Sequence, residues 1–340
     1  MLALSENQRV IDALYSRLDD IAEQCGESFP LYRRAGDALW TVSRRGSWLG
    51  GLWTALWWQR AAYSGSDAHL RYARRACHQL EGQLAEPSLN RSFVFAYGAG
   101  LGSQLAQCPD AQALGCRAAW AVAADYRSDL GGWLLGAGMG GGAHGARTLD
   151  VDALAPTLSL LHVPADAQLA LMARSHLDLC LRTLATPSGA WAAQASMEAD
   201  GQLHPVAPGA WARGQAWALL GLAEAVERYG AEYAEAARQA GEYWLQYWGE
   251  AACQPQVDYG VLDPCAAAIA SVALLRLSTA LPTRAEWREQ ARRQNARLRE
   301  QVGPGGRFVG HHYRTGARAE PVESACASFY LIQALALEEA

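Results

Sequence analysis

The chain has 340 residues, 51% of them apolar and 19% charged, with a formal net charge of −5. This length suffices for one large domain or two ordinary ones with a sizeable core. The mild acidity and the lack of a basic block exclude nucleic acid as a partner, and no apolar run is long enough to cross a bilayer.

The N-terminus, MLALSENQRVIDALYSRL, lacks the basic start, apolar stretch and small-residue cleavage site of a secretory signal. Eight cysteines are scattered with no Cys-x-x-Cys pair, so free buried thiols in a cytoplasmic protein are expected rather than a structural zinc site. The eight histidines form no metal pattern. His144 and His204 fall in loops, and His311 and His312 are adjacent and point apart on a regular element. A surface position is expected for the histidines, and no metal site.

β-Branched residues are few while Ala, Leu, Arg and Glu dominate, which is an all-helical composition. Apolar residues at helical spacing predict twelve helices. The first, over 5–24, leads into a long loop at 25–46. The second (47–63) carries SWLGGLWTALWW; a short turn at 63–66 leads to the third (67–85), with the charged run LRYARRACHQLEGQL. The fourth (89–107) contains FVFAYGAGLG, and the fifth follows at 109–127. A Gly-rich loop at 128–149 precedes the sixth (150–162) and seventh (165–185). After a loop at 186–208, the eighth (209–229) opens WARGQAWALL and turns at Tyr229-Gly230 into the ninth (231–248). A loop at 249–261 leads to the tenth (262–279), then the eleventh (283–301), a loop at 302–320 and the twelfth (321–338).

Even-numbered helices are poor in charge and rich in Gly, Ala and Trp; odd-numbered ones carry the charge. Short turns follow the even helices and long Gly/Pro-rich loops follow most of the odd ones. Six apolar helices inside six amphipathic ones make an all-α (α/α)6 barrel, read as one domain over 1–340, with a helical solenoid ranked second.

In that barrel the N-terminal ends of the even helices open on one face with the long loops. Trp48, Asn90, Arg91, Ser92, Asp150, Asp152, Trp211, Arg213, Gln215, Trp217, Asp263, Glu320 and Glu323 fall there. Each carboxylate taken alone fits helix capping, because the helix dipole favours negative charge at that end. At four-residue spacing Trp211 sits over Gln215 and Arg213 over Trp217, which makes either a helix end packed under a loop or a ligand platform, with flat rings for a sugar or base and a fork of N–H donors for an anion. Thirteen tryptophans against five phenylalanines favour carbohydrate. The loop GAGMGGGAHGAR (136–147) lacks the GxxxxGK[ST] pattern of a phosphate loop and reads as a mobile cover over the rim.

WARGQAWALLGLAEAVERYG resembles the Trp-x-Arg-Gly-Gln-Ala-Trp segment of glycoside hydrolase family 88, the unsaturated glucuronyl hydrolases, and more weakly the unsaturated rhamnogalacturonyl hydrolases. SWLGGLWTALWWQRAAYSGSDAHLRYARR, LDVDALAPTLSLL, LDPCAAAIASVALLRL and GHHYRTGARAEPVESACASFYLIQAL are similar to further family segments in the same order, from about 40 to 338. The resemblance implies removal of a terminal 4,5-unsaturated uronic acid from short oligosaccharides, without metal or organic cofactor. An aspartic acid protonates C4 of the enol-ether bond and water adds at C5. By position that acid is Asp152, its proton retained by apolar surroundings and a second carboxylate. Arg213, Gln215, Trp211 and Trp217 then hold and stack the sugar, with Trp48, Arg91 and Ser92 on the same rim.

Three positions depart from the family pattern. Ser92 stands where the family has a second aspartate, Leu154-Ala155-Pro156 where it has Met-Met-Asn, and 189–202 holds no match to its histidine. A hydrolase for a different sugar acid and a sugar-binding pseudoenzyme on the same barrel both fit these departures. The sequence does not set the oligomeric state.

Overall fold

The computed structural model of the protein describes residues 4–249, 256–257, 261–315 and 319–340; Cys253, most of the loop expected at 249–261 and part of that at 302–320 lie outside them. Helices form where the apolar spacing predicts them: α1 (Glu6–Cys25), α2 (Leu49–Ser64), α3 (Asp67–Gln79), α4 (Arg91–Phe95), α5 (Leu101–Ala106), α6 (Pro109–Ala123), α7 (Leu154–Leu161), α8 (Ala167–Leu184), α9 (Ala212–Tyr229), α10 (Ala234–Tyr247), α11 (Pro264–Ala280), α12 (Ala285–Glu300) and α13 (Ala325–Glu339). The single helix expected over 89–107 is α4 and α5 joined by a π turn at Ala96–Gly100. There the Trp58 indole N–H donates to the Gly98 carbonyl at 2.8 Å, partnering a carbonyl of the loosened backbone ladder.

The loops also hold short strands that the sequence does not announce: β1 (Phe29–Arg34), β2 (Thr41–Ser43), β3 (Thr148–Asp150), β4 (Gln194–Met197), β5 (Leu203–Val206), β6 (Gln256–Val257), β7 (Val261–Leu262), β8 (His311–Arg314) and β9 (Ala319–Glu323). They pair antiparallel in three small sheets, ordered β2-β1-β9-β8, β3-β4-β5 and β6-β7. With two to six residues each, they are too short for a readable alternation.

The chain divides into two compact units. One comprises Met1–Arg44, Pro187–Ala190 and Ala210–Ala340. Within it α11 is buried without a break from Pro264 to Leu275, and α13 from Ala325 to Ile332. By contrast α12 buries only Trp287, Gln290, Ala291, Gln294, Asn295 and Leu298, one stripe of an amphipathic helix. Glu323 at the end of β9 is buried and accepts from Arg17 Nε of α1 and Arg33 of β1, both at 2.8 Å, so this carboxylate ties three elements together and caps nothing. Capping of α13 falls to the next residue, Ser324, whose hydroxyl accepts from the Ala327 N–H.

The other unit comprises Arg45–Thr186 and Trp191–Gly209. Helix α2 is buried from Leu49 to Ala61, whereas α3 buries only Ala73, Ala76 and Cys77. Gly51 permits the close approach of α2 and α4: a Cβ there would lie 2.4 Å from the Phe93 carbonyl oxygen. The loop at 136–147, expected as a mobile cover, is a knot closed on itself. Gly136 N–H donates to Gly145 O, Gly138 N–H reaches Pro87 O at 2.9 Å, and a Cβ on Gly141 or Gly145 would collide with Gly136 O. Close backbone packing accounts for Gly136, Gly141 and Gly145, and a positive φ for Gly140 and Gly142.

Candidate active-site residues

In the second unit the candidates cluster around the starts of α2, α4 and α7. Trp48, half-buried at the N-cap of α2, packs its ring 5.4 Å from that of Phe93. Arg91 opens α4 and is buried; its guanidinium donates to the carbonyls of Ser88 (3.0 Å), Leu84 (2.7 Å) and Ala121 (3.3 Å) and pairs with Asp125. Ser92 has no exposed surface, and its hydroxyl oxygen accepts from Thr157 at 2.9 Å. A neutral hydroxyl pair therefore sits where the family resemblance implies a carboxylate.

Asp152 is half-buried in the turn from β3 to α7, just before the N-cap residue Ala153. The turn is fixed by Asp150, whose Oδ1 accepts the Asp152 backbone N–H at 2.7 Å and whose Oδ2 accepts from Gln194 Nε2 of β4 at 2.7 Å. Burial pushes the Asp150 carboxyl above the usual aspartate value, and the two N–H donors oppose that shift. Neither aspartate caps α7 with its side chain.

In the first unit the candidates open α9. Trp211 is its N-cap, and the Arg213 guanidinium lies 4.9 Å from the Trp211 ring centroid, close enough for a cation–π contact. Arg213 also pairs with the fully buried Asp263 and donates from both terminal nitrogens to His312 O at 3.0 Å. Burial raises the Asp263 carboxyl and Arg213 lowers it. Gln215 is buried and donates to Gly189 O at 2.9 Å, so it holds a loop to the helix. Trp217 is buried edge-on against Tyr330, with centroids 5.2 Å apart. Arg213 thus turns toward Asp263 while its guanidinium lies against the Trp211 ring two residues before it.

The surface position expected of the histidines does not hold for His176, His311 or His312, which are buried. His311 Nδ1 lies 2.8 Å from the Ser324 hydroxyl, within the β8–β9 pairing that covers it. Among the described residues no group of three or more His, Cys, Asp or Glu is placed to hold a metal. Sequence reasoning missed the partners Gln194 and His312. They lie 44 and 99 positions from the groups they contact, and no local pattern marks them.

No protein-family model matches the chain, and no curated protein does. Solved structures do. The unsaturated glucuronyl hydrolase responsible for glycosaminoglycan degradation from Bacillus sp. GL1 is 19% identical, with a TM-score of 0.85 over 97% of this chain and 96% of that one. A possible member of family GH105 from Salmonella enterica gives 15% identity and a TM-score of 0.74 over 99% and 96% of the chains. The GH76A α-1,6-mannanase from Salegentibacter sp. HEL1_6 gives 10% identity and 0.73 over 98% and 99%. At these identities the likeness defines the fold: an all-α (α/α)6 barrel of the six-hairpin glycosidase type. A mannanase shares it, so the fold leaves the substrate open.

Proposed function

We propose that the protein is a glycoside hydrolase that removes a terminal 4,5-unsaturated uronic acid from short oligosaccharides, with Asp152 as the acid. The observation that carries this reading is the half-buried Asp152 carboxyl in the β3–α7 turn, in a chain that shares its fold over nearly its full length with an unsaturated glucuronyl hydrolase. In the proposed reaction Asp152 gives its proton to C4, and the positive charge is delocalised over C5 and the ring oxygen. Water adds to C5 and its proton returns to the Asp152 carboxylate. The hemiketal opens to a ketone at C5, and the hemiacetal left at C1 expels the aglycone.

In the unit that carries Asp152, Trp48 offers a half-buried aromatic face for the sugar, while Arg91 and Ser92 act behind it. The sugar-binding candidates of the other unit are Trp211 and Arg213, a ring and a guanidinium of the kind that suits a sugar acid, with Gln215 and Trp217 buried behind them in the core of that unit. Seven free cysteines among the described residues support a cytoplasmic setting. A second reading, a sugar-binding protein without turnover, draws on the uncharged Ser92–Thr157 pair.

A panel of unsaturated uronyl disaccharides, followed by loss of the double bond's ultraviolet absorbance, separates the two. Turnover is expected, falling by at least ~100-fold in Asp152→Asn, the scale of a lost general acid. A folded wild-type protein that binds these sugars and consumes none of them favours the second reading.

A further inference from the structure

Asp150 is the one buried carboxylate beside Asp152 that the proposed reaction leaves unused. Its side chain is 5% exposed, and no cation pairs with it among the described residues. A buried aspartate without a counter-ion costs stability, and an apolar or amide residue would fill the position more cheaply. Both oxygens are instead engaged by N–H donors, the arrangement that favours the anion over the acid. One of those donors is the backbone of Asp152 itself.

We propose that Asp150 is the positioning residue of the acid: it fixes the turn that presents Asp152 and supplies the neighbouring negative charge that Ser92 does not. This rests on the reading of Asp152 as the proton donor. A like charge two residues away disfavours ionisation of Asp152 and so keeps a proton on it to deliver. The groups around Asp150 do not supply that charge. From α8 come the Cys180 thiol, pushed up by burial, neutral His176 beyond it, and Arg182, which acts on Cys180 against Asp150 and is itself tied to the Leu130 carbonyl; β4 brings the uncharged Gln194. The 3-10 turn before β3 carries the exposed His144 and Arg147, and Arg147 is tied to the Met197 carbonyl.

Asp150→Asn preserves the shape. The new amide oxygen still accepts the Asp152 N–H, and the exposed Gln194 can turn its own oxygen toward the new NH2 group. The test is a carboxyl NMR titration of the ligand-free full chain, with Asp152 assigned by difference against Asp152→Asn. In Asp150→Asn the midpoint of Asp152 is expected to fall by roughly 0.5–1 pH unit. The melting temperature at neutral pH is expected to stay level or rise, because a buried charge has been removed.

An Asp152 midpoint that does not move in a folded Asp150→Asn variant overturns the proposal. Should that variant not fold, Gln194→Ala serves: withdrawing one donor should raise the Asp150 midpoint and alter the Asp152 curve with it, and two unchanged curves overturn the proposal equally. Where turnover is measured, Asp150→Asn should lower kcat with KM retained and move the pH profile of kcat down by the same shift. If no unsaturated sugar is consumed, the hydrolase reading falls while the titration still decides the role of Asp150.

Discussion

His176 shows how a residue's chemistry is set by burial rather than type. It lies inside α8, its Nδ1 facing the Trp133 backbone N–H at 3.4 Å and its Nε2 3.8 Å from the Cys180 sulfur. Burial pushes its pKa down to about 4 from an ordinary value of 6.5. The unfolded chain therefore takes up a proton at this site before the folded one does. Its contribution to stability is complete above pH 6.5 and is lost as the pH falls toward 4, by about 3 kcal/mol in all. Urea midpoints measured across that window should fall with pH, and His176→Gln should flatten this part of the slope. Arg91 carries a related lesson. In the sequence it stands at a helix start beside Ser92, where a site-facing cation is a fair expectation. Three backbone carbonyls and Asp125 draw its guanidinium inward, and nothing in the local sequence reveals that turn.

At the scale of elements, close approach sets what is allowed. Helices α2 and α4 meet at Gly51, where an added Cβ would stand 2.4 Å from Phe93 O and 2.5 Å from Val94 Cα. These are backbone atoms that cannot swing aside. Gly51→Ala should destabilise the protein by about 2–3 kcal/mol despite alanine's better helix propensity, read as a lower urea midpoint with an unchanged slope. The helices themselves were legible because burying one stripe or the whole circumference leaves different periodicities, as in α3 and α2. The strands were not. Residues such as Leu149 and Asp150 join β3 only because Ala195 and Gln194 lie opposite them, a pairing made across more than forty residues.

For the whole molecule, composition and the alternation of apolar with charged helices define an all-α (α/α)6 barrel, and the structural likenesses bear this out. The scattered cysteines extend the reading. Six of the seven described ones are buried and all seven are free. All eight thiols of the chain should therefore react with a disulfide reagent in denaturant without prior reduction, and most should react slowly in the native protein. A count below eight in denaturant would contradict this. The sequence by itself determined where helices fall and which of them carry charge, because periodicity and charge are local properties of a chain. It also marked Asp152, through a resemblance that runs in order along most of the chain. Only the tertiary structure decided which polar groups are already engaged: Arg91 by carbonyls, Gln215 by Gly189, Arg213 by Asp263, Asp150 by Gln194 and the turn of Asp152. The physical reason is that a buried polar group must find a partner, and the partner's distance along the chain is set by the fold.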